Sequence, residues 1–258
     1  LIREKLYGTH PYGRSMQLSD VDGVTLDRVR KYFTERFKPY KIFIAGNVDH
    51  ETLKSISQNI DLSTDTLSFL EFGNLETKPG NTQMDGPSKV QASIRLGRKS
   101  ISRTHPDWPG LQLVSHILGG YFGSRLMKNI REEKGLTYGI HSSIQSMLHS
   151  SWLNISAEVN SSNTDLAVAE IQKELGTLDE IGNDELEMSK NHFIGSLQND
   201  VTTVFSASDK IKNIILNKLP GNFYQELIKD VDNLNKISLS KITYIYFDPA
   251  NFSTVVVK

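Results

Sequence analysis

The chain has 258 residues, 29 Lys+Arg against 30 Asp+Glu, and no cysteine. That length allows one large or two smaller domains with a core that needs no staples, and the balanced charge lacks the basic excess of a nucleic-acid binder. Zero cysteines exclude disulfides, thiolate nucleophiles and Cys-based metal sites in a periplasmic or a cytoplasmic protein alike, and no apolar run reaches the ~18 residues of a membrane span.

The opening LIREKLYG has neither a long apolar core nor a cleavage site, so it is not a signal peptide. Because Leu1 is not a methionine, the chain reads as part of something longer. After His10-Pro-Tyr-Gly-Arg14, Ser19-Asp-Val-Asp-Gly-Val-Thr-Leu26 leads as a loop into a helix capped by Thr25. Leu26, Val29, Phe33 and Phe37 follow at spacings of 3, 4 and 4, and Pro39 stops the helix. Lys41-Ile-Phe-Ile-Ala45 predicts a buried strand ending at Gly46. Asp49 caps a helix through Ile60, with Leu53, Ile56 and Ile60 on one face. From Phe72 to Lys89, Gly, Pro and polar residues predict a linker, 76–88, that divides residues 1–75 from 89–258.

Beyond it, Val90, Ala92, Ile94 and Leu96 alternate with Gln91, Ser93 and Arg95, a strand with one wet face. Asp107 to Leu118 predicts a helix carrying Leu111, Val114 and Leu118. After Gly119-Gly120, Ser124 to Lys134 predicts a second, short helix with Leu126, Met127 and Ile130 inward, and Gly135 stands where a left-handed C-cap belongs. Tyr138 to Gln145 and Trp152 to Val159 predict a hairpin turning around Leu148-His-Ser-Ser. Thr164 to Leu178 is helical, and Asn183 opens a long helical region to about Lys218, broken near Thr202-Thr203. Two more helices and a terminal strand, Ser253 to Val257, complete an α+β pattern with an antiparallel or mixed sheet packed by helices.

The pattern repeats. Val24-Thr-Leu-Asp-x-Val29, Phe33, Pro39 and Lys41-Ile-Phe-Ile have a counterpart about 210 residues on, in Ile237-Ser-Leu-Ser-x-Ile242, Tyr246, Pro249 and Ser253-Thr-Val-Val-Val. Two tandem copies of one αβ unit are expected, the first represented by its end, residues 1–75, and the second by 89–258.

Most chemical signatures are missing. The histidines stand at 10, 50, 105, 116, 141, 149 and 192, no two spaced by 3 or 4, so no helix offers two imidazoles on one face. Neither HExxH nor HxxEH occurs, and no metal is expected on this chain. Gly119-Gly120-x-x-Gly123 follows a helix, not a strand, so it reads as a turn or a surface for extended peptide instead of a phosphate cradle. No GxSxG elbow supports serine catalysis. What remains is Arg131 and Tyr138. An arginine in a last helical turn complements the dipole, and a tyrosine at a strand edge is equally ordinary. A tight glycine cap between them also puts both tips at one end of the sheet, where guanidinium and phenol donors suit a carbonyl oxygen that gains charge during hydrolysis. Local physics leaves both readings open.

Gly119-Gly-x-Phe-Gly-Ser-Arg-Leu-Met-x-x-Ile-Arg-Glu-x-Lys-Gly-Leu-Thr-Tyr138 resembles the C-terminal-half signature of the pitrilysin/insulinase family of zinc metallopeptidases, which includes the mitochondrial processing peptidase and many bacterial zinc proteases. His10-Pro-Tyr-Gly-Arg14 and Ala45-Gly-Asn-Val-Asp49 are similar to stretches late in that family's N-terminal half. The resemblance implies two similar αβ halves forming a clamshell around a peptide chamber. It implies an inverted HxxEH zinc motif in the N-terminal half, where two His and a downstream Glu hold the metal and the motif Glu activates water. In this chain it implies Arg131 and Tyr138 as catalytic donors to the tetrahedral intermediate, with Gly119, Gly120, Phe122, Gly123 and Ser124 handling a peptide substrate. Zinc is then expected in the full-length protein or in an HxxEH-bearing partner subunit. Two alternatives to a fragment of a two-half peptidase stay open: a zinc-free partner subunit, and a peptidase-derived structural subunit like the core proteins of a respiratory complex.

Overall fold

The computed structural model describes residues 1–37, 41–60, 78–148 and 150–258. In chain order the elements are α1 (Ile2–Tyr7), α2 (Leu18–Asp22), α3 (Leu26–Arg36), α4 (His50–Asn59), β1 (Asn81–Met84), β2 (Gln91–Ser100) and α5 (Trp108–Gly119). A π-helix, Met127–Glu133, precedes β3 (Thr137–Ser146), β4 (Ser151–Asn160), α6 (Thr164–Gly176) and α7 (Asn183–Asn199). The chain closes with α8 (Val204–Leu216), α9 (Phe223–Asn233), α10 (Lys236–Tyr246) and β5 (Ser253–Val257). These elements form two compact units, one of Leu1–Arg14, Leu75–Gln198 and Leu219–Lys258, the other of Ser15–Asn74 and Asn199–Lys218.

The larger unit is a five-stranded mixed sheet in the order β1-β5-β2-β4-β3. β2 is its spine, pairing antiparallel with β4 over its whole length and with β5 on its other side. The alternation along β2 works as anticipated. Ala92, Ile94 and Leu96 are buried on the face that carries Val159, Ala157 and Ile155 of β4. Leu111, Val114 and Leu118 of α5, Ile171 and Leu175 of α6, and Leu239 and Ile242 of α10 complete that core. Each of these large side chains contributes roughly 1.5–3 kcal/mol by leaving water. A satellite cluster of Leu6, Tyr7 and Trp152 holds α1 to this unit. There the Tyr7 hydroxyl meets Ser150 Oγ at 2.9 Å, and Tyr12 packs edge-on against the Tyr7 ring. The His10–Arg14 segment is therefore part of a structural strap.

Local signals are obeyed closely. Thr25 accepts from the Arg28 N–H and Asp49 from the Thr52 N–H, so both caps stand where the sequence places them. The break between α7 and α8 falls at residues 200–203. Two expectations need correction. Lys41–Ala45 forms no strand, and Ile42 and Ile44 are exposed; an apolar run becomes a strand only where a neighbour completes its ladder. Within the expected linker, Asn81–Met84 is a strand, because β5 supplies a parallel edge for it. The expected short helix of 124–134 forms and winds mainly as a π-helix. The helix stop at Pro39, the first part of the Phe72–Lys89 linker and His149 of the hairpin turn lie outside the described residues.

Lys218, just past the end of α8, is held at φ 53, and Pro220 follows. This left-handed position normally belongs to glycine, because a Cβ there costs roughly 1–2 kcal/mol. Lys218→Gly is expected to raise the urea midpoint, a gain of about 0.5–1 kcal/mol once the extra chain entropy of glycine is subtracted; an unchanged or lowered midpoint would show that no strain is stored there.

Candidate functional site

The site is built on the passage from the π-helix into β3. Its wide turns show in the backbone, where Lys134 N–H donates to Asn129 O at 3.0 Å and Leu136 N–H to Ile130 O at 2.9 Å. Such helices are rare and recur at functional sites, because one extra residue per turn redirects the side chains that follow. Leu126, Met127 and Ile130 are buried beneath it, as the pattern of the sequence requires. Two polar clamps hold it from the side. Asn129 Nδ2 donates to Glu170 at 3.0 Å and to Glu174 at 2.6 Å on α6. Just before the π-helix, Arg125 makes a bidentate pair with Glu185 of α7 (2.7 and 2.8 Å) and donates to Thr177 O at 2.6 Å. Burial pushes the Glu185 carboxyl up, but the Arg125 hydrogen bond and charge outweigh it and hold the group below its ordinary range.

Gly135, at φ 61, then reverses the chain. Thr137 pairs with Val159, yet Ile140 pairs with Ala157, so Tyr138 and Gly139 together oppose the single residue Glu158. This is a β-bulge, a device that bends a strand and re-aims one side chain. The Thr137 hydroxyl organises it, accepting from the Gly139 N–H at 3.2 Å and lying 2.6 Å from the Glu158 carbonyl as donor. Tyr138 is left 99% exposed.

Arg131 and Tyr138 line one open groove of about 600 Å³, together with Thr137, Gln91, Glu158 and Asn160. The Arg131 guanidinium makes no hydrogen bond or ion pair with any described residue and lies over the Phe122 ring, 4.7 Å from the centroid. Glu158 is held by Ser93 Oγ and Arg95 Nη2, both 2.8 Å from Oε1. A groove with an unspent guanidinium, an exposed phenol and a carboxylate can hold the donors and acceptors of an extended peptide backbone.

The glycine-rich turn lies off this groove. Gly119 and Ser124 are buried, while Gly120 and Phe122 are exposed and Gly123 is half-buried. Between them Tyr121 stacks on His116 and His192, with centroids at 4.8 and 4.4 Å, and its hydroxyl meets Ser189 Oγ at 3.2 Å. His116 Nε2 and His192 Nδ1 are 3.0 Å apart, bridging α5 and α7. A search for spacings of 3 or 4 cannot find this pair, because it comes from two helices. No third metal ligand joins it, and among the described residues no three His, Asp or Glu side chains converge on a metal position. The residues present do not fit a three-ligand zinc centre.

Residues 23–193 match the family model described as the peptidase M16 inactive domain. The chain is 26% identical, in an alignment of 262 positions that covers 94% of its length, to the uncharacterized zinc protease YmxG of Bacillus subtilis, of which it spans 60%. It is 25% identical over 93% of its length to the non-peptidase homolog YmxG of Helicobacter pylori, and spans 57% of that protein. In fold it is similar to the crystal structure of the peptidase M16 inactive domain from Pseudomonas fluorescens. That match has a TM-score of 0.82 and 21% identity, covering 99% of this chain and 63% of the other.

Burial, then the neighbouring His192, pulls His116 down from 6.5 to about 4. The folded state therefore takes up this proton later than the unfolded chain does. The stability tied to neutral His116 is present above pH 6.5 and is lost as pH falls toward 4, by roughly 3 kcal/mol. Urea unfolding at a series of pH values should show this slope, and His116→Phe, which keeps a ring against Tyr121, should flatten it. An equal slope in the variant would assign the loss to other groups.

Proposed function

The chain belongs to the peptidase M16 family, and from that premise we propose that it is the substrate-holding portion of a zinc-dependent metalloendopeptidase, with the zinc centre carried on other residues of the protein or on a partner subunit. The observation that carries this reading is the shared groove of Arg131, whose guanidinium makes no hydrogen bond or ion pair with a described residue, and the exposed Tyr138. In that role the two side chains donate to the scissile carbonyl oxygen as it gains negative charge. Arg131 supplies a fixed positive charge with planar donors, and Tyr138 a single O–H. Pre-aimed donors of this kind act mainly on the transition state, because the carbonyl of the bound peptide carries much less charge. The exposed Gln91 and Asn160, at the ends of β2 and β4, would take up backbone groups on either side.

Within this proposal residues 1–75 are the closing portion of a first αβ half, and 89–258 belong to the second. The apolar face of α3 supports the assignment: Leu26, Val29 and Phe33, followed by Phe37, are all exposed. A stripe of that width on an amphipathic helix is made to be covered by further structure.

A second reading has its own support, since one relative covering 93% of this chain is named a non-peptidase homolog. In that case the chain is a non-catalytic partner or structural subunit of a peptidase-like assembly, and the groove holds no transition state.

Turnover separates the two. In the full-length protein with its zinc-bearing half or partner, Arg131→Ala and Tyr138→Phe are each expected to lower kcat/KM on an unstructured peptide by about 10²–10³. Zinc content by elemental analysis should stay at the wild-type value in both. Undiminished turnover in both variants would remove the catalytic role. The 258-residue chain on its own is expected to hold no stoichiometric zinc after metal-replete dialysis; one tightly held zinc per chain would overturn the division of labour proposed above.

A further inference from the structure

We propose that Phe122 is a positioning residue whose ring holds the Arg131 guanidinium at the mouth of the groove; its consequence for turnover rests on the catalytic reading above. Phe122 is 61% exposed on a short turn. The contact it makes is with Arg131, 4.7 Å from ring centroid to Cζ.

The turn is built to keep that ring still. A Cβ on Gly119 would stand 2.5 Å from the Ser142 nitrogen, and one on Gly120 would stand 2.6 Å from the His116 Cα. Both glycines are therefore required for the turn to lie flat on α5 and β3. Immediately before Phe122, Tyr121 stacks against the hydrogen-bonded pair of His116 and His192. Two residues after it, Ser124 is buried. The glycine-rich signature is thus accounted for as a rigid mount, with Phe122 as the part it presents.

The choice of an aromatic partner has a chemical reason. A carboxylate paired with Arg131 would fix the side chain equally well, but it would occupy the N–H donors and neutralise the charge. A ring face attracts the guanidinium through its quadrupole and leaves every donor unspent. The Arg131 guanidinium makes no hydrogen bond or ion pair with any described residue, which is the state such a mount preserves. The arginine is thereby oriented in advance and still has all its donors for a ligand oxygen.

The test uses the full-length protein with isotope-labelled arginine and two variants, Phe122→Leu and Phe122→Tyr. In the wild type the Arg131 side-chain protons, assigned through Arg131→Lys, should be shifted upfield by the ring current. Phe122→Leu should abolish that shift and Phe122→Tyr should keep it. Turnover should fall about three- to tenfold in the Leu variant, mainly in kcat, and return to near the wild-type value in the Tyr variant. An apolar spacer would serve as well as a ring in a merely structural role, so wild-type turnover with Leu would overturn the proposal. Absence of a ring-current shift in the wild type would overturn it directly. Because the shift is read without any assay, it decides the positioning claim separately. Wild-type turnover of Arg131→Ala instead sinks the catalytic reading on which the kinetic consequence rests.

Discussion

The reversal at Gly135 is the constraint on which the candidate site depends. A π-helix and an edge strand meet there with only Lys134, Gly135 and Leu136 between helix end and strand entry, and a left-handed backbone at Gly135, φ 61, turns the chain sharply enough. On one side of the reversal the last residues of the π-helix bring Arg131 to the sheet end; on the other the bulge opposite Glu158 turns Tyr138 outward. A side chain at position 135 would be strained in this conformation, although the space around its Cβ is open. The backbone angle, and not crowding, is what the glycine serves.

Around that reversal the structure spends polar interactions where a simple core would use apolar ones. Arg125 with Glu185 and Asn129 with Glu170 and Glu174 tie the π-helix to α7 and α6. Hydrogen bonds to charged groups are stronger than neutral ones. They also have direction, which packed leucines lack. A helix of uncommon winding needs such fixing, since its backbone alone does not prefer the wide turn. The buried side chains of Leu126 and Ile130 supply adhesion, and the two clamps supply orientation.

The two units differ in how far they satisfy their own apolar surface. The sheet unit buries nearly every large aliphatic on β2, β4 and α5. In the other unit α3 and α8 display Leu26, Phe33, Phe205 and Ile211 to solvent, although their caps are well formed. Capping is a contract between neighbours in sequence and is met locally. Burial of an amphipathic face needs a second surface, and nothing in a helix's own sequence provides one.

The same distinction divides what was legible in the residues from what was not. The caps at Thr25 and Asp49, the alternation of β2, the α7–α8 break, the Gly135 turn and the family signature around Arg131 and Tyr138 could be read directly, because each is an energy between residues a few positions apart. Lys41–Ala45 looked like a strand and is not one, while Asn81–Met84 looked like linker and is a strand. Pairing with a distant edge decides both. The π winding depends on clamps from residues 41 and more positions away, and the bulge depends on the register of β4. The Tyr121–His116–His192 stack and the seat of Arg131 on Phe122 likewise exist only once α5, α7 and the glycine turn are packed together. Sequence by itself singled out the residues proposed to carry the chemistry and the local turns that present them. Tertiary structure alone decided where they point, because direction is set by long-range contacts that no short stretch of chain contains.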